Sequence, residues 1–179
     1  MTAPLQHKQL RSSPGPSAAA ESVLAQPISS HFLHPGHLHV SKVPTSISFI
    51  LGSCVAVCAW DPVSGIGGAT HYLLPSWDGR GTATPRYGSV AIPLLLQKLA
   101  EAGADRLQLR AKLFGGGCLF DMMREGGPGK EHLGTRNVET AKEILGKAQI
   151  RIVSTDLGGD RGKRIEFYTK TGEAVVKGL

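Results

Sequence analysis

The alternation of apolar and polar residues predicts a β-hairpin in the first half of the chain. Residues 47–60 have the pattern of a strand, and from Cys54 to Trp60 successive side chains point to opposite faces. DPVSG, at 61–65, has the composition of a turn. GIGGATHYLLP, at 65–75, has the pattern of a returning strand that ends at its proline. We therefore expect these two strands to pair.

Two later segments have helical patterns, at 89–102 and 138–148. We expect Ser89 to cap the first helix and Gly103 to end it, and we expect Asn137 to cap the second. Further strands are predicted at 107–114, 149–154, 164–169 and 173–177. Because strands occur both in hairpins and between helices, the pattern favours an α+β domain with a mixed sheet.

The N-terminal part has a different composition from the rest. Residues 1–30 are rich in Ser, Ala, Pro and Gln and show no periodicity, so we expect a disordered leader before a single domain over 31–179. No apolar run approaches the roughly 18 residues that a membrane span needs, and the N-terminus lacks the apolar core of a secretory signal. We expect a cytoplasmic protein without membrane insertion.

Charge and cysteine content exclude further classes. The formal net charge is +6, but the basic residues are scattered and often lie beside acidic ones. No basic stripe with interleaved aromatic residues is present, which argues against nucleic-acid binding. In a reducing compartment the three cysteines are expected to be thiols and not a disulfide framework.

Two groups of residues raise the question of a metal site. Residues 31–42 contain four histidines, but no cysteine or carboxylate lies nearby to complete a ligand set, so we favour a surface strand after a Pro-Gly turn. A second set could in principle supply four zinc ligands: Cys54, Cys58, His71 and Cys118. Its spacing is not that of a usual zinc site, so we do not expect a metal there.

The register of the hairpin decides whether Cys54 meets His71. If Trp60 faces Gly65, Cys54 faces His71 directly. If the pairing is shifted by two, His71 faces Ala56 and becomes the diagonal neighbour of Cys54 on the same face. A shift by one places the two side chains on opposite faces.

A thiol beside an imidazole is the arrangement that cysteine chemistry requires. The imidazole can accept the thiol proton, leaving an ion pair, and later donate the proton to a departing amine. Gly52 and Ser53 allow a tight turn whose backbone amides could face a developing oxyanion. Ser48, six residues before Cys54, is a candidate hydroxyl to orient His71.

The residues alone leave a simpler interpretation of these features open. A single cysteine in a strand is more often a small core residue than a nucleophile. We interpret Cys58, which shares the face of Cys54 but lies inside the strand, as such a core residue. We interpret the three glycines at 115–117 as a tight strand end, because no lysine and Ser/Thr follow to make a phosphate loop.

The chain resembles the CheD family, the chemoreceptor glutamine deamidases of bacterial chemotaxis. The matching stretches run in order over about residues 33 to 177 and include LGSC, a histidine seventeen residues after its cysteine, AKLFGGG and DLGGDRGKRIEF. The resemblance implies that Cys54 is the nucleophile and His71 the catalytic histidine. Ser48 occupies the third catalytic position, which is usually Thr in the family, so the hydroxyl is kept.

The resemblance also implies a fold, a substrate and partners. The fold would be a layered sandwich similar to the catalytic domain of the cytotoxic necrotising factors, with two main helices packed outside. The substrate would be glutamine side chains on the cytoplasmic helices of methyl-accepting receptors, and a phosphatase of the CheC type would be a further partner. A catalytically weak adaptor that binds such a phosphatase is the alternative, and the sequence does not separate hydrolysis from transfer to an amine.

Overall fold

The computed structural model describes residues 28–118 and 132–179. The predicted leader lies outside the described residues apart from its last three positions. Residues 119–131 also lie outside them.

Nine strands and two helices make up the described chain. In order they are β1 (Ser29–Phe32), β2 (His37–Ser41), β3 (Thr45–Leu51), β4 (Val55–Trp60), β5 (Gly67–Tyr72), α1 (Gly88–Ala102), β6 (Arg110–Gly115), α2 (Leu133–Lys147), β7 (Arg151–Leu157), β8 (Lys163–Tyr168) and β9 (Ala174–Gly178). No described helix is long and apolar enough to cross a bilayer.

The strands form two mixed sheets. One has four strands in the order β1-β3-β8-β9, and the other has five in the order β2-β5-β4-β6-β7. Each sheet contains one parallel pair, β1 with β3 and β6 with β7, and its other pairs are antiparallel. The predicted α+β fold with mixed sheets and two main helices is confirmed.

The five-stranded sheet is the middle layer of three. One of its faces packs against α1 and α2 around a core that includes Val57, Tyr72 and Leu95. The other face packs against the four-stranded sheet around a core that includes Phe49, Trp60 and Phe167. Every residue of β4 and β5 is therefore buried.

The predicted strand over 47–60 is wrong in one respect, because it is two strands in different sheets. The chain leaves the four-stranded sheet after Leu51, bends at 52–54 and enters the five-stranded sheet at Val55. Both segments are apolar because each contributes to the core between the sheets. The hydrophobic pattern therefore continues across the bend and does not reveal it.

The predicted helix starts are also wrong, whereas Gly103 ends α1 as expected, in the left-handed conformation at φ 105°. Helix α1 begins at Gly88 with Tyr87 as N-cap residue, and the Ser89 hydroxyl accepts a hydrogen bond from the Trp77 amide. Helix α2 begins at Leu133, where His132 caps it by accepting from the Gly134 amide.

Candidate active site

Cys54 lies on the bend that connects the two sheets, and the backbone of this bend is held at three successive carbonyl groups. The Gly52 carbonyl accepts from the Gly117 amide and the Cys54 carbonyl from the Gly116 amide, each at 2.8 Å. Between them, the Ser53 carbonyl accepts from the side-chain amide of Asn137 at 3.1 Å. The three peptide groups are thus fixed in orientation from one side.

The glycines after β6 let the chain approach the Cys54 bend this closely. A Cβ atom on Gly115, which has φ 100°, would lie 2.2 Å from the Cys54 carbonyl oxygen. The expected tight strand end is present, since β6 ends at Gly115. What sequence reasoning missed is that this segment also supports the bend through its amides.

The amide groups of the bend, unlike its carbonyls, are not bonded to the described residues. Within residues 28–118 and 132–179, no hydrogen bond is recorded from the amides of Gly52, Ser53 or Cys54 to another residue. The Cys54 amide instead lies near its own thiol and lowers the thiol pKa, although burial raises that pKa by more. With no acceptor among the described residues, these amides are the candidate donors for an oxyanion formed beside the thiol.

His71 lies on β5 with its side chain in the core between the sheets. It is 1% exposed, and its ring centroid lies 6.2 Å from that of Phe49. Neither ring nitrogen has a hydrogen-bond partner among the described residues. Burial lowers the pKa of His71 to about 4, although the nearby Leu33 backbone opposes the shift in part.

The hairpin adopts one of the two registers that bring Cys54 and His71 to the same face. Ala56 pairs with His71 and Val55 with Tyr72. Continuing this register beyond the end of β4 makes His71 the diagonal neighbour of Cys54, a position typically about 7–8 Å away between backbones. The Cys54 side chain packs against the same inter-sheet core as His71.

Burial favours the neutral form of both groups. Burial raises the pKa of the Cys54 thiol above its ordinary value and lowers that of His71 to about 4. No hydrogen bond joins the thiol to the imidazole. In this structure, burial therefore favours a neutral thiol and a neutral imidazole over the ion pair predicted from the sequence.

Ser48 is not placed where the sequence suggested. On β3 the side chains of Ile47 and Phe49 point into the inter-sheet core, so Ser48 between them faces outward, and it pairs with Glu166. The hydroxyl cannot orient His71 from that face. Its carbonyl group instead accepts from the Leu33 amide at 2.8 Å, which fixes the segment whose backbone lies near His71.

Asn137 is the residue that sequence reasoning most clearly misassigned. It is fully buried inside α2 and does not cap it. Its side-chain amide donates to the Ser53 carbonyl at 3.1 Å and to the Leu73 carbonyl at 2.9 Å. An Asn in the interior of a helix is disfavoured by propensity, and that mismatch was the available signal.

The other candidate ligands do not converge on a site. Cys58 is fully buried in the inter-sheet core, as expected of a core residue. His31 and His39 stack with ring centroids 4.0 Å apart. Within the described ranges, no group of three or more His, Cys, Asp or Glu side chains is placed to hold a metal ion.

Fold and site together define a class: a layered α+β protein in which a thiol and an imidazole lie at one end of two packed sheets. A family model described as CheD chemotactic sensory transduction matches residues 73–178. This match starts after His71, but it covers more than half of the chain.

Relatives extend the similarity across the candidate site. A protein of Trichlorobacter lovleyi is 44% identical over 150 residues, 84% of this chain and 91% of the relative. Proteins of Sulfurimonas denitrificans (38% over 146 residues; 82% and 92%) and Anaeromyxobacter dehalogenans (41% over 148 residues; 83% and 84%) match similarly. Each is named as a probable chemoreceptor glutamine deamidase CheD.

These matches include the candidate residues. A match of 146 residues leaves 33 of the 179 residues outside, so it must include residues 48–71. The chain belongs to the CheD family.

Proposed function

We propose that this protein is a chemoreceptor glutamine deamidase, which hydrolyses the side-chain carboxamide of receptor glutamines to glutamate and releases ammonia. The observation that carries the proposal is the Cys54 bend. Its three carbonyls are engaged, its amides have no acceptor within the described ranges, and the buried His71 imidazole lies on the same face. The names of the relatives supply the substrate class. Receptor helices on the cytoplasmic side would place the reaction in the cytoplasm.

In the first half of the proposed reaction, the Cys54 sulfur attacks the carboxamide carbon while its proton passes to His71. Because neither group is charged beforehand, proton transfer and attack belong to the same step. The amides of the bend stabilise the oxyanion, and each such donor typically contributes about 10²–10³ in rate. The imidazolium then protonates the departing nitrogen, which leaves as ammonia, and a thioester remains.

In the second half, water replaces ammonia beside the thioester. His71 takes one proton from this water as its oxygen attacks the thioester carbon. The resulting intermediate expels the Cys54 sulfur, which recovers the proton from His71, and glutamate is released. The net reaction consumes one water per carboxamide, and no metal or organic cofactor takes part.

The proposed product changes the charge of the receptor. Each event replaces a neutral amide by a carboxylate on a helical bundle, which alters the interactions between neighbouring charged faces. Such a change shifts the equilibrium between the receptor's signalling states only as far as the two states differ in how they accommodate the charge.

The test uses purified protein with a cytoplasmic fragment of a cognate receptor. Ammonia release is followed, and conversion of Gln to Glu is mapped by mass spectrometry, for wild type, Cys54→Ala and His71→Ala. Cys58→Ala is the matched control, because it removes a thiol from the same face in the buried core. We expect conversion by wild type and the control, and none by the other two variants.

Other outcomes would overturn parts of the proposal. Conversion that survives in Cys54→Ala would remove the nucleophile assignment. Receptor–amine adducts formed in excess amine would identify a transglutaminase. No conversion by wild type would leave the CheD-like adaptor, and binding to a CheC-type phosphatase would then be measured. The expected likeness to the cytotoxic necrotising factors stays a prediction.

A further inference from the structure

We propose that Asn137 is the positioning residue of this site: by holding the Ser53 carbonyl against α2, it directs the Cys54 amide toward the reacting thiol. The inference rests on the proposed function for the reaction it serves. It stands on the two hydrogen bonds of the Asn137 side chain and on peptide geometry.

The peptide bond between Ser53 and Cys54 couples the position of the Ser53 carbonyl to the direction of the Cys54 amide. No peptide bond of the described chain is cis, so the Ser53 carbonyl and the Cys54 amide point in opposite directions. Asn137 holds the carbonyl on the helix side of the five-stranded sheet, whereas the Cys54 side chain packs on the opposite, inter-sheet side. The amide is therefore directed to the side where the oxyanion would form.

The second hydrogen bond of the Asn137 side chain connects the end of β5, the strand that carries His71, to the Cys54 bend. The ladder between β4 and β5 ends at the pair of Val55 and Tyr72. Beyond that pair, Asn137 binds the carbonyls of Ser53 and Leu73, whereas the Cys54 carbonyl accepts from the Gly116 amide. The Asn137 side chain thus bridges the two segments that carry the thiol and the imidazole, just beyond the last pair of the β4–β5 ladder.

Asn137 is itself held rigidly. It is fully buried within α2. The first turn of α2 packs backbone to backbone on the glycine segment, since a Cβ on Gly134 would lie 2.4 Å from the Gly116 carbonyl oxygen. The amide group therefore has little freedom to follow the bend if the bend moves.

The test compares Asn137→Asp with Tyr72→Phe. The aspartate has the same shape, but when ionised it has no proton to donate to either carbonyl. Tyr72→Phe removes the buried hydrogen bond that the Tyr72 hydroxyl donates to the Asn137 backbone carbonyl at 2.5 Å. It leaves both hydrogen bonds of the Asn137 side chain in place. We expect Asn137→Asp to lower kcat at pH 8 by about 10²–10³, the effect of losing one oxyanion donor, with KM changed by less than about threefold. Tyr72→Phe should keep kcat within about threefold of wild type.

The pH profile separates positioning from loss of structure. A buried aspartate is protonated more readily than an exposed one, and the protonated form can donate one hydrogen bond. The kcat of Asn137→Asp relative to wild type should therefore rise as the pH falls from 8 to 6. A ratio that does not change with pH, or equal kcat losses in both variants, would overturn the inference. If the aspartate variant does not fold, Asn137→Ser, which keeps one donor, should retain more activity than Asn137→Ala.

A readout that does not depend on deamidation keeps the two proposals separable. The rate at which iodoacetamide alkylates Cys54 should fall in Asn137→Asp at each pH, because the amide no longer stabilises the thiolate, and should not fall in Tyr72→Phe. An unchanged rate would refute the positioning role even if deamidation is confirmed. A lowered rate in a protein whose wild type does not deamidate would retain the positioning role and reject the proposed function.

Discussion

Replacing His71 by leucine should make the protein more stable while removing its activity. The imidazole is 1% exposed, and neither of its nitrogens has a partner among the described residues. A buried polar group without a hydrogen bond typically costs about 1–3 kcal/mol. The site is lined by apolar groups such as Phe49 and Ala56, which a leucine can contact. We expect His71→Leu to raise the free energy of unfolding at pH 7 by about 1 kcal/mol.

The same substitution should remove a pH dependence whose sign follows from the lowered pKa. The pKa of His71 falls from 6.5 to about 4 on folding, so between these values the unfolded chain binds more protons than the folded one. Stability from the neutral imidazole is complete above about pH 6.5 and is lost as the pH falls toward 4. The full difference is about 3 kcal/mol, of which about 2 kcal/mol is lost between pH 7 and pH 5.

Urea denaturation at these two pH values measures both effects. Trp60, which is 5% exposed in the inter-sheet core, provides a fluorescence signal for unfolding. The change in free energy from pH 7 to pH 5 should be about 2 kcal/mol larger in wild type than in His71→Leu, because all other titrating groups are common to both. His71→Gln is the matched control, which keeps a polar group there but cannot titrate.

A different result would refute the reasoning at an identifiable step. If wild type and His71→Leu respond equally to pH, the imidazole is not held neutral by burial. If wild type instead gains stability relative to the variant as the pH falls, the folded state raises the pKa of His71. That outcome would mean that the imidazole is paired with a Cys54 thiolate, the ion pair that this structure does not contain.

Three further predictions follow from the same geometry. The alkylation rate of the Cys54 thiol should rise about tenfold per pH unit between pH 6 and 8, because its pKa is raised; a plateau there would reveal a preformed thiolate. Ser48→Ala should keep kcat within about threefold of wild type, since the hydroxyl faces away from the site; a loss as large as that in His71→Ala would show that the outward placement is wrong. Gly115→Ala should cost more than about 2 kcal/mol in urea denaturation, whereas Gly146→Ala, an open helix position, should stabilise by about 0.5–1 kcal/mol; equal effects would contradict the close contact with the Cys54 carbonyl.

Much of the hairpin could be predicted from the sequence, because its apolar alternation and turn composition leave few registers. The pairing of Ala56 with His71 is one of the two registers that bring the thiol and imidazole to one face. The sequence could not choose between them, since a shift by two residues keeps every side chain on its face. The fold class was likewise accessible from the order of strands and helices.

The position of Ser48 could not be predicted, because side-chain alternation is lost across the bend at 52–54. On one continuous strand, Ser48 and Cys54 would share a face, since they are six residues apart. The chain instead changes sheets between them, and Ser48 faces outward while Cys54 faces the inter-sheet core. Asn137 was missed for a related reason: both of its side-chain bonds join residues more than 60 positions apart in the chain.

The change of sheets also bears on the role proposed for His71, whose imidazole is buried without a hydrogen bond to the described residues. The chain crosses from one sheet to the other at 52–54, at one end of the space between the sheets. Cys54 lies at that end and is partly exposed. His71 is buried deeper along the same face. In the proposed reaction, a glutamine side chain that enters at this end would meet the thiol first, and the imidazole would receive its proton from the thiol and not from solvent. The proposed transfer needs the lone pair of only one of the two imidazole nitrogens, and that nitrogen must be unprotonated. Burial meets this requirement of the proposed reaction by lowering the His71 pKa, and its cost is a buried ring with no hydrogen-bond partner among the described residues.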